Sequence, residues 1–395
     1  MEQSPAIDPV LQQRMTTGPQ ADPARQSHTV AGPQADSARQ SQTVAGPQAD
    51  SETDPERVSA DPPAVHRLRE ALLVRRAEGL YCPLGGFFVD PWQRVDRAVI
   101  THGHADHARP GHAHYLTEHD GVAILKARLG ANLSIQGLAY GETVQMGDVE
   151  LSLHPAGHIL GAAQVRIAHR GEVWVISGDY RTEADPSCAA FEPVRCEVFI
   201  SESTFGLPIY QWEPQESVIA QIVDWWQHNA ARGTCSVLYT YALGKAQRLA
   251  MALPDGPILV HPAVDQMHRC YRLAGRPVPE AAIWDAQARV PRGALILAPP
   301  ASADSRQMAR LGDREDAFVS GWMQLRGLRR RRALDRGFAL SDHADWPGLL
   351  QAIGASGAQR VMVTHGQVPV MVRHLRTLGL DASALDAEGW GDEAS

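Results

Sequence analysis

Four side chains with metal-binding chemistry lie within six residues in the stretch THGHADH. His102 and His104 are two residues apart, so in an extended segment both imidazole rings point to the same side and can bind one ion. Asp106 and His107 follow, and a turn after His104 would bring them to a second ion about 3.5–4 Å from the first, the spacing of two-metal sites. Imidazole and carboxylate groups are the usual ligands of zinc in open catalytic sites. The pattern therefore predicts half of a two-metal centre.

The alternatives to metal binding are weaker for this stretch. A single histidine is more often a surface or core residue than a ligand, but here three histidines and an aspartate follow the apolar strand at residues 95–100. A structural zinc clip would need thiolates near the histidines, and the cysteines are scattered without a CxxC pair. Their odd number argues against a disulfide framework and fits a reducing cytosol. The five cysteines are Cys82, Cys188, Cys196, Cys235 and Cys270.

Three later segments carry residues that can complete the two metal sites. His158 lies in a glycine-flanked loop between two predicted strands, and Asp179 ends the strand in GEVWVISGDY. His365 ends the apolar strand in RVMVTH. Asp179 is expected to bridge both ions because a carboxylate has two oxygens to share. The expected ligands are His102, His104 and His158 for the first ion, and Asp106, His107 and His365 for the second.

Other polar residues at strand ends are candidates for supporting roles. Glu202, at the end of EVFISE, is expected to line the site because it stands in register with the earlier strand-end ligands. His343 is expected at a strand end, before a helix that should begin near Trp346. Asp90 either supports the metal-binding loop from behind or caps a turn before Pro91, and the sequence leaves both interpretations open.

Candidates for substrate contacts lie in the second half of the chain. Lys245 begins a predicted helix and could touch a phosphate, with a solvated lysine as the alternative. The stretch LGKAQ around it lacks the leading glycine and the Ser or Thr of a phosphate-binding loop, which excludes a nucleotide triphosphatase. A basic run at residues 329–332, with Arg326 and Arg336 nearby, could follow a phosphate backbone, and Trp322 could stack on a base. The alternative is that the run is a solvated helix face. The candidates are Lys245, Ser320, Arg329 and Arg330.

Composition and repeats set the first 62 of the 395 residues apart. This segment carries a charge of −5 and contains a fourteen-residue repeat without leucine, isoleucine or aromatic residues to pack, so we expect a disordered tail. The remaining chain carries only −3, which is not the basic balance of a protein that binds nucleic acid by charge alone. No apolar run is long enough for a signal peptide or a membrane span, and a cytoplasmic protein is expected.

Secondary-structure patterns divide the rest of the chain. HRLREALLVRRAEGL is expected to be a helix, and short strands alternate with loops up to residue 207. From residue 208 the pattern changes to alternating helices and strands, which predicts a small parallel sheet flanked by helices. Ligand-bearing strand ends return after residue 338. The expected divisions are 1–62, 63–207, 208–337 and 338–395.

The ordered motifs HGHADH, AGH, SGDY, SES, SDHAD and THG resemble the metallo-β-lactamase fold in its β-CASP nuclease branch. The resemblance covers roughly residues 75–370. It implies an α/β (α+β) protein with a four-layer αββα metallo-β-lactamase domain. In this arrangement the domain is formed by residues 63–207 and 338–395, and residues 208–337 are an inserted α/β β-CASP domain.

Longer stretches are similar to bacterial ligase-associated DNA exonucleases, among them GLYCPLGGFFVDP, GHILGAAQV and RGFALSDHADW. This similarity implies a two-metal phosphodiesterase that acts on DNA, with an ATP-dependent DNA ligase and a helicase as partners. His365 favours the alternative, an RNA 3′-end processing nuclease, because RNA-processing members keep a histidine at this position.

Three other classes fit the sequence less well. A small-molecule metallo-hydrolase would not need the inserted domain, Glu202 or His343. An iron-dependent redox relative would carry a flavodoxin-like domain. A binding subunit without catalysis would have lost ligands, whereas every expected ligand is present.

The mechanism expected from this set uses two Zn²⁺ ions, or Mn²⁺, to activate a water for in-line attack on a phosphodiester and to neutralise charge on the phosphate oxygens. His343 would protonate or stabilise the leaving oxygen, and Glu202 would orient its ring. The expected catalytic residues are Asp106, Asp179, Glu202 and His343. The expected substrate is DNA, with RNA as the alternative, and no membrane is involved.

Overall fold

The computed structural model describes residues 71–285, 287–325 and 336–385. The predicted tail at residues 1–62 and the basic run with Arg329 and Arg330 lie outside these residues. Within the described residues the chain forms three β-sheets and seven α-helices, none of which has the length and apolar content to cross a bilayer. The helices are α1 (Gly121–Leu129), α2 (Gln215–Ala231), α3 (Lys245–Ala252), α4 (Pro262–Leu273), α5 (Arg306–Ala309), α6 (Trp346–Ser356) and α7 (Val368–Thr377).

The first sheet has six strands that are neighbours in chain order. They are β1 (Val74–Arg76), β2 (Gly79–Cys82), β3 (Phe87–Val89), β4 (Arg97–Val99), β5 (His114–Glu118) and β6 (Ile135–Leu138). The strands β3 to β6 are parallel, and β1, β2 and β3 pair antiparallel. The helix expected over residues 66–80 is therefore wrong in its described part. The chain reverses between β1 and β2. Leu72 and Leu80 are buried, but they do not lie on one face of a helix.

The second sheet has seven strands in the order β19-β18-β11-β10-β9-β8-β7. They are β7 (Thr143–Met146), β8 (Val149–Pro155), β9 (Ala163–His169), β10 (Glu172–Ile176), β11 (Val198–Glu202), β18 (Arg360–Thr364) and β19 (Asp381–Ala384). Strands β10, β11, β18 and β19 are parallel to one another. Strands β7, β8, β9 and β10 pair antiparallel with their neighbours. The parallel strands β10, β11 and β18 are the continuous apolar runs of the sequence, as expected for strands covered on both faces.

Helices cover the outer faces of these two sheets. Val99 of the first sheet and Ile200 of the second lie in one apolar core between the sheets. On the outer side of the first sheet, Leu125 of α1 packs with Ile100 and Tyr115. Helices α6 and α7 contribute to the core that includes Val361 of β18. The order helix, sheet, sheet, helix confirms the predicted four-layer αββα arrangement.

The third sheet is inserted between two neighbouring strands of the second. Its strands lie in sequence between β11 and β18, which pair with each other. They are β12 (Cys235–Tyr239), β13 (Ile258–Val260), β14 (Ala282–Ile283), β15 (Leu295–Ala298), β16 (Arg314–Val319) and β17 (Arg336–Phe338). All pairings in this sheet are parallel, and apolar residues of α2, α3 and α4 pack with it. The predicted parallel sheet with flanking helices is confirmed, with six strands.

Candidate metal centre

The metal-binding candidates meet at one edge of the two-sheet sandwich. Strands β10, β11 and β18 are parallel neighbours, so their carboxyl ends lie side by side. Asp179 follows β10, Glu202 is the last residue of β11, and His365 follows β18. His158 reaches the same edge from the loop between β8 and β9. The loop after β4 supplies His102 and the residues that follow it.

The first group of donors is His102, His104, His158 and Asp179, all buried, with ligand atoms within 4.8 Å of one another. His104 Nδ1 lies 3.1 Å from His102 Nε2 and 3.1 Å from His158 Nε2. Asp179 Oδ2 lies 3.3 Å from His102 Nε2. Tetrahedral ligands at the usual zinc bond lengths are about 3.3 Å apart. Three imidazole nitrogens and a carboxylate oxygen at these spacings fit a divalent cation.

Hydrogen bonds to two backbone carbonyls determine which ring nitrogen of His104 and of His158 faces this group. His158 Nδ1 lies 2.8 Å from the carbonyl oxygen of Asp342, and His104 Nε2 lies 3.2 Å from that of Leu243. A carbonyl oxygen can only accept, so each of these ring nitrogens carries the proton and donates it. The opposite nitrogen of each ring is then the one with a lone pair for a metal. His104 consequently presents Nδ1, whereas His102 and His158 present Nε2.

The second group of donors is Asp106, His107 and Asp179. His107 Nε2 lies 3.5 Å from the carboxylates of both Asp106 and Asp179. Asp179 therefore belongs to both groups, as a bridging ligand requires. His365 lies next to them, with its ring centroid 5.4 Å from that of His107 and a left-handed backbone at φ +56°. Among the described residues, His365 does not belong to any group of donors whose ligand atoms all lie within 4.8 Å of one another. Its role as a ligand stays a prediction.

Asp90 supports His107 from behind. Its Oδ2 accepts from His107 Nδ1 at 2.7 Å and from the Thr101 hydroxyl at 2.5 Å, and its Oδ1 accepts from the Thr101 amide at 2.8 Å. Asp90 is buried and has a left-handed backbone at φ +42°. These contacts favour the interpretation that Asp90 holds the metal-binding loop. Thr101, which the sequence interpretation missed, directly precedes His102.

We expect Asp90→Asn to weaken metal affinity or activity by about 10- to 100-fold, the usual effect of losing a partner of a metal-bound histidine. Asparagine keeps the size of the side chain and tolerates the left-handed backbone, so the change is confined to the charge and one acceptor. Metal titration followed by calorimetry measures the effect. Asp96→Asn, an exposed carboxylate next to β4, is the control. Equal metal affinity in Asp90→Asn and Asp96→Asn would contradict the role of Asp90.

The charges of the site favour an anionic bridge between imidazoles. Burial alone would raise the pKa of Asp179, but His107, His102 and His343 outweigh it and hold that pKa well below its ordinary range. Burial and the neighbouring His107 lower the pKa of His102 well below its ordinary value. Burial opposes protonation of His107, yet the carboxylates around it, first of all Asp179, raise its pKa well above the ordinary value. A cation held by His107 would take the place of that proton.

Glu202 and His343 form a pair beside this cluster. His343 Nδ1 lies 3.0 Å from both carboxylate oxygens of Glu202, and both residues are buried. Glu202 also accepts from the Tyr180 amide at 2.8 Å and from the Thr204 hydroxyl at 2.6 Å. His343 lies in the loop after β17, five residues beyond the strand, and not at a strand end. The helix α6 begins at Trp346, as expected, because Asp345 caps it.

Comparison with curated proteins finds relatives that process nucleic acids. A protein named Probable DNA ligase from Opitutus terrae is 32% identical over 317 residues, which is 79% of this chain and 31% of the relative. Endoribonuclease YSH1 from Mycosarcoma maydis is 28% identical over 207 residues, 42% of this chain and 23% of the relative. Cleavage and polyadenylation specificity factor subunit 3 from Dictyostelium discoideum is 28% identical over 148 residues, 35% of this chain and 18% of the relative.

The inserted sheet between β11 and β18 agrees with the similarity to these relatives. The chain is a homologue of β-CASP metallo-β-lactamase proteins. It spans less than a third of the length of the three curated relatives. No family model matches the chain.

Lys245 is buried at the start of α3. Its Nζ lies 3.2 Å from Asp342 Oδ2, and Arg248 Nη1 lies 3.1 Å from Asp342 Oδ1. The alternative of a solvated lysine is therefore wrong, and a phosphate contact stays a prediction. The backbone carbonyl of Asp342 is the acceptor for His158, so this ion-pair network supports a metal-binding candidate. Ser320 is buried, and its Oγ accepts from the Trp322 amide at 3.4 Å.

Proposed function

We propose that this β-CASP homologue is a two-metal nuclease that hydrolyses phosphodiester bonds in DNA, as an exonuclease linked to a DNA ligase and helicase system. The observation that carries the proposal is the position of Asp179 between two groups of imidazole and carboxylate donors, next to the Glu202–His343 pair. A small-molecule hydrolase needs only the metal donors. The acid–base pair and the inserted sheet favour a polymer substrate.

The proposed metals are two Zn²⁺ or Mn²⁺ ions. One would be held by His102, His104 and His158, the other by Asp106, His107 and His365, and Asp179 would be a ligand common to both. When bound, they supply a water activated near neutral pH and positive charge for the phosphate oxygens.

The chain's own acid–base group in this mechanism is His343. Its Nδ1 donates to the carboxylate of Glu202, which fixes the orientation of the ring. Protonated His343 can then give a proton from Nε2 to the leaving oxygen. Glu202 is held by the Tyr180 amide and the Thr204 hydroxyl, so the pair is positioned before substrate binds.

The choice between DNA and RNA is part of the proposal. The name of the Opitutus terrae relative, Probable DNA ligase, supports DNA, and that alignment covers 79% of this chain. The relatives named endoribonuclease YSH1 and cleavage and polyadenylation factor support RNA, over 42% and 35% of the chain. An RNA 3′-end processing nuclease is therefore the second candidate. The ligase and helicase partners, the cytoplasmic location and the domain boundaries 63–207, 208–337 and 338–395 are proposals of the same kind.

The test of this function is a matched set of end-labelled single- and double-stranded DNA and RNA, each incubated with Zn²⁺, Mn²⁺ or Mg²⁺. We expect metal-dependent release of nucleotides from DNA, stopped by a chelator and restored by added metal. Stronger cleavage of RNA would favour the second candidate. A metal-loaded protein that leaves all four polynucleotides intact would overturn the nuclease proposal.

A further inference from the structure

Four aromatic side chains pack beside His343 in a group that the proposed mechanism does not use. Phe205 is at the centre, with its ring centroid 4.9 Å from Tyr210, 4.8 Å from Trp212 and 4.8 Å from Trp322. We call these four residues the aromatic platform. Phe205 and Tyr210 are buried, whereas the two tryptophans are only partly buried. The platform therefore presents indole surface to solvent.

Hydrogen bonds hold the platform in place. Trp212 donates its indole Nε1–H to the backbone carbonyl of His343 at 3.0 Å and its amide to Asp345 Oδ2 at 2.9 Å. Because its indole N–H is used inside the protein, the ring itself is what Trp212 offers to a ligand. The amide of Trp322 is bound by Ser320 Oγ. The indole of Trp212, held through its own N–H, loses little conformational entropy when a flat ligand stacks on it.

The packing also depends on Gly321, which precedes Trp322. A Cβ at this position would lie 2.5 Å from the Phe205 ring and 2.9 Å from the Trp212 ring. Only a residue without a side chain lets the segment carrying Trp322 approach the other rings this closely. The sequence therefore provides for a continuous aromatic surface and not for separate exposed side chains.

The platform lies next to the ring of His343, which in turn lies next to the metal-binding candidate His158. The Phe205 centroid lies 5.9 Å from that of His343, which in turn lies 4.7 Å from that of His158. Ile209, which directly precedes Tyr210 of the platform, is 56% exposed. A strand whose phosphate lies at the metal donors would have an adjacent base within reach of this apolar surface. Stacking on aromatic side chains is how proteins hold unpaired bases without reading their sequence.

We propose that Trp212 and Trp322 form a stacking site for the unpaired base next to the scissile phosphate of a DNA strand. The proposal rests on the proposed nuclease function and specifies the form of the DNA substrate, a strand whose bases are unpaired at the cleaved end. A base can stack on the platform only after it has left its partner strand. The protein therefore acts on single-stranded ends and unpaired tails in preference to paired ones.

The experiment combines removal of the base with removal of the ring. Single-stranded DNA with one abasic nucleotide beside the cleaved bond is compared with the unmodified strand, for the wild type, Trp322→Ala and Trp322→Phe. We expect the abasic position to lower kcat/KM of the wild type by about 10- to 100-fold. The same substrate change should have little effect on Trp322→Ala, because the stacking partner is already gone. Trp322→Phe keeps a ring and should retain most of the wild-type sensitivity.

Tyr81→Ala is the matched control, since Tyr81 is a partly buried aromatic on the first sheet that packs on Phe88. It should show the full wild-type sensitivity to the abasic nucleotide. Equal sensitivity of the wild type and Trp322→Ala would overturn the stacking site while the nuclease function stands. Absence of cleavage of either strand by the metal-loaded wild type would overturn both proposals. Thermal unfolding of each variant identifies a loss caused by misfolding, and Trp322→Phe then decides the question.

Discussion

Replacement of Asp179 by alanine is expected to abolish phosphodiester cleavage while the protein stays folded. The Asp179 carboxylate lies within 3.3–3.8 Å of ring nitrogens of three histidines, which are His102, His107 and His158. It is the only residue common to the donor groups found among the described residues, so its loss affects both proposed metal positions. Loss of a partner behind a ligand costs about 10- to 100-fold, and loss of a shared ligand should cost roughly 10³-fold or more.

Two measurements separate this result from simple unfolding. Metal content by mass spectrometry should fall in Asp179→Ala, and circular dichroism should show an unchanged fold. Asp148→Ala is the control, because Asp148 is an exposed carboxylate whose described hydrogen bonds involve only its backbone. Full cleavage and full metal content in Asp179→Ala would refute its role as the bridging ligand.

Replacement of His343 by alanine is expected to slow cleavage by about 10²- to 10⁴-fold, the usual contribution of a general acid or base. The physical reason is its pairing with Glu202, which leaves Nε2 as the atom that can deliver a proton. The substrate provides a sharp test of this role. A p-nitrophenyl phosphodiester has a leaving group that needs no proton, so its hydrolysis should be much less sensitive to His343→Ala than cleavage of DNA.

Glu202→Gln is the companion variant for this prediction. It retains an acceptor for His343 but loses the negative charge, so we expect a smaller loss than for His343→Ala and the same dependence on the leaving group. The donor atoms of Asp179, Glu202 and His343 also lie within 4.8 Å of one another, which would suit a metal position. Equal losses with both substrates and a lower metal content in His343→Ala would show that His343 binds metal and is not the acid.

Asp179, Glu202 and His365 could be identified as candidates from the sequence because each one stands at or just after an apolar run. Strands β10, β11 and β18 end next to Asp179, Glu202 and His365, and parallel strands bring such ends to one edge. The same local reasoning was wrong for the residues leading into β2. Leucines spaced for a helix face there serve equally well in a hairpin, and the pairing of β1 with β2 distinguishes the two.

The supporting contacts could not be predicted in the same way. His104 and His158 are oriented by the backbone carbonyls of Leu243 and Asp342, and every residue has such a carbonyl. The pairing of Lys245 with Asp342 joins positions almost a hundred residues apart, which spacing alone does not reveal. Asp90 was recognisable as a candidate, but choosing its role required the distance to His107.

The insertion of the third sheet between β11 and β18 bears on how the protein is made. More than two hundred residues separate His102 from His365 in the chain, so at ordinary rates of synthesis they leave the ribosome on the order of tens of seconds apart. Once the strand that carries Glu202 has been made, it has no β18 neighbour until about 160 residues later, and the segment with His343 is made only late in this interval. A chain that stops before His365 therefore lacks part of the proposed metal centre. The hydrolytic activity we propose would be withheld until the segment that carries His365 has been made.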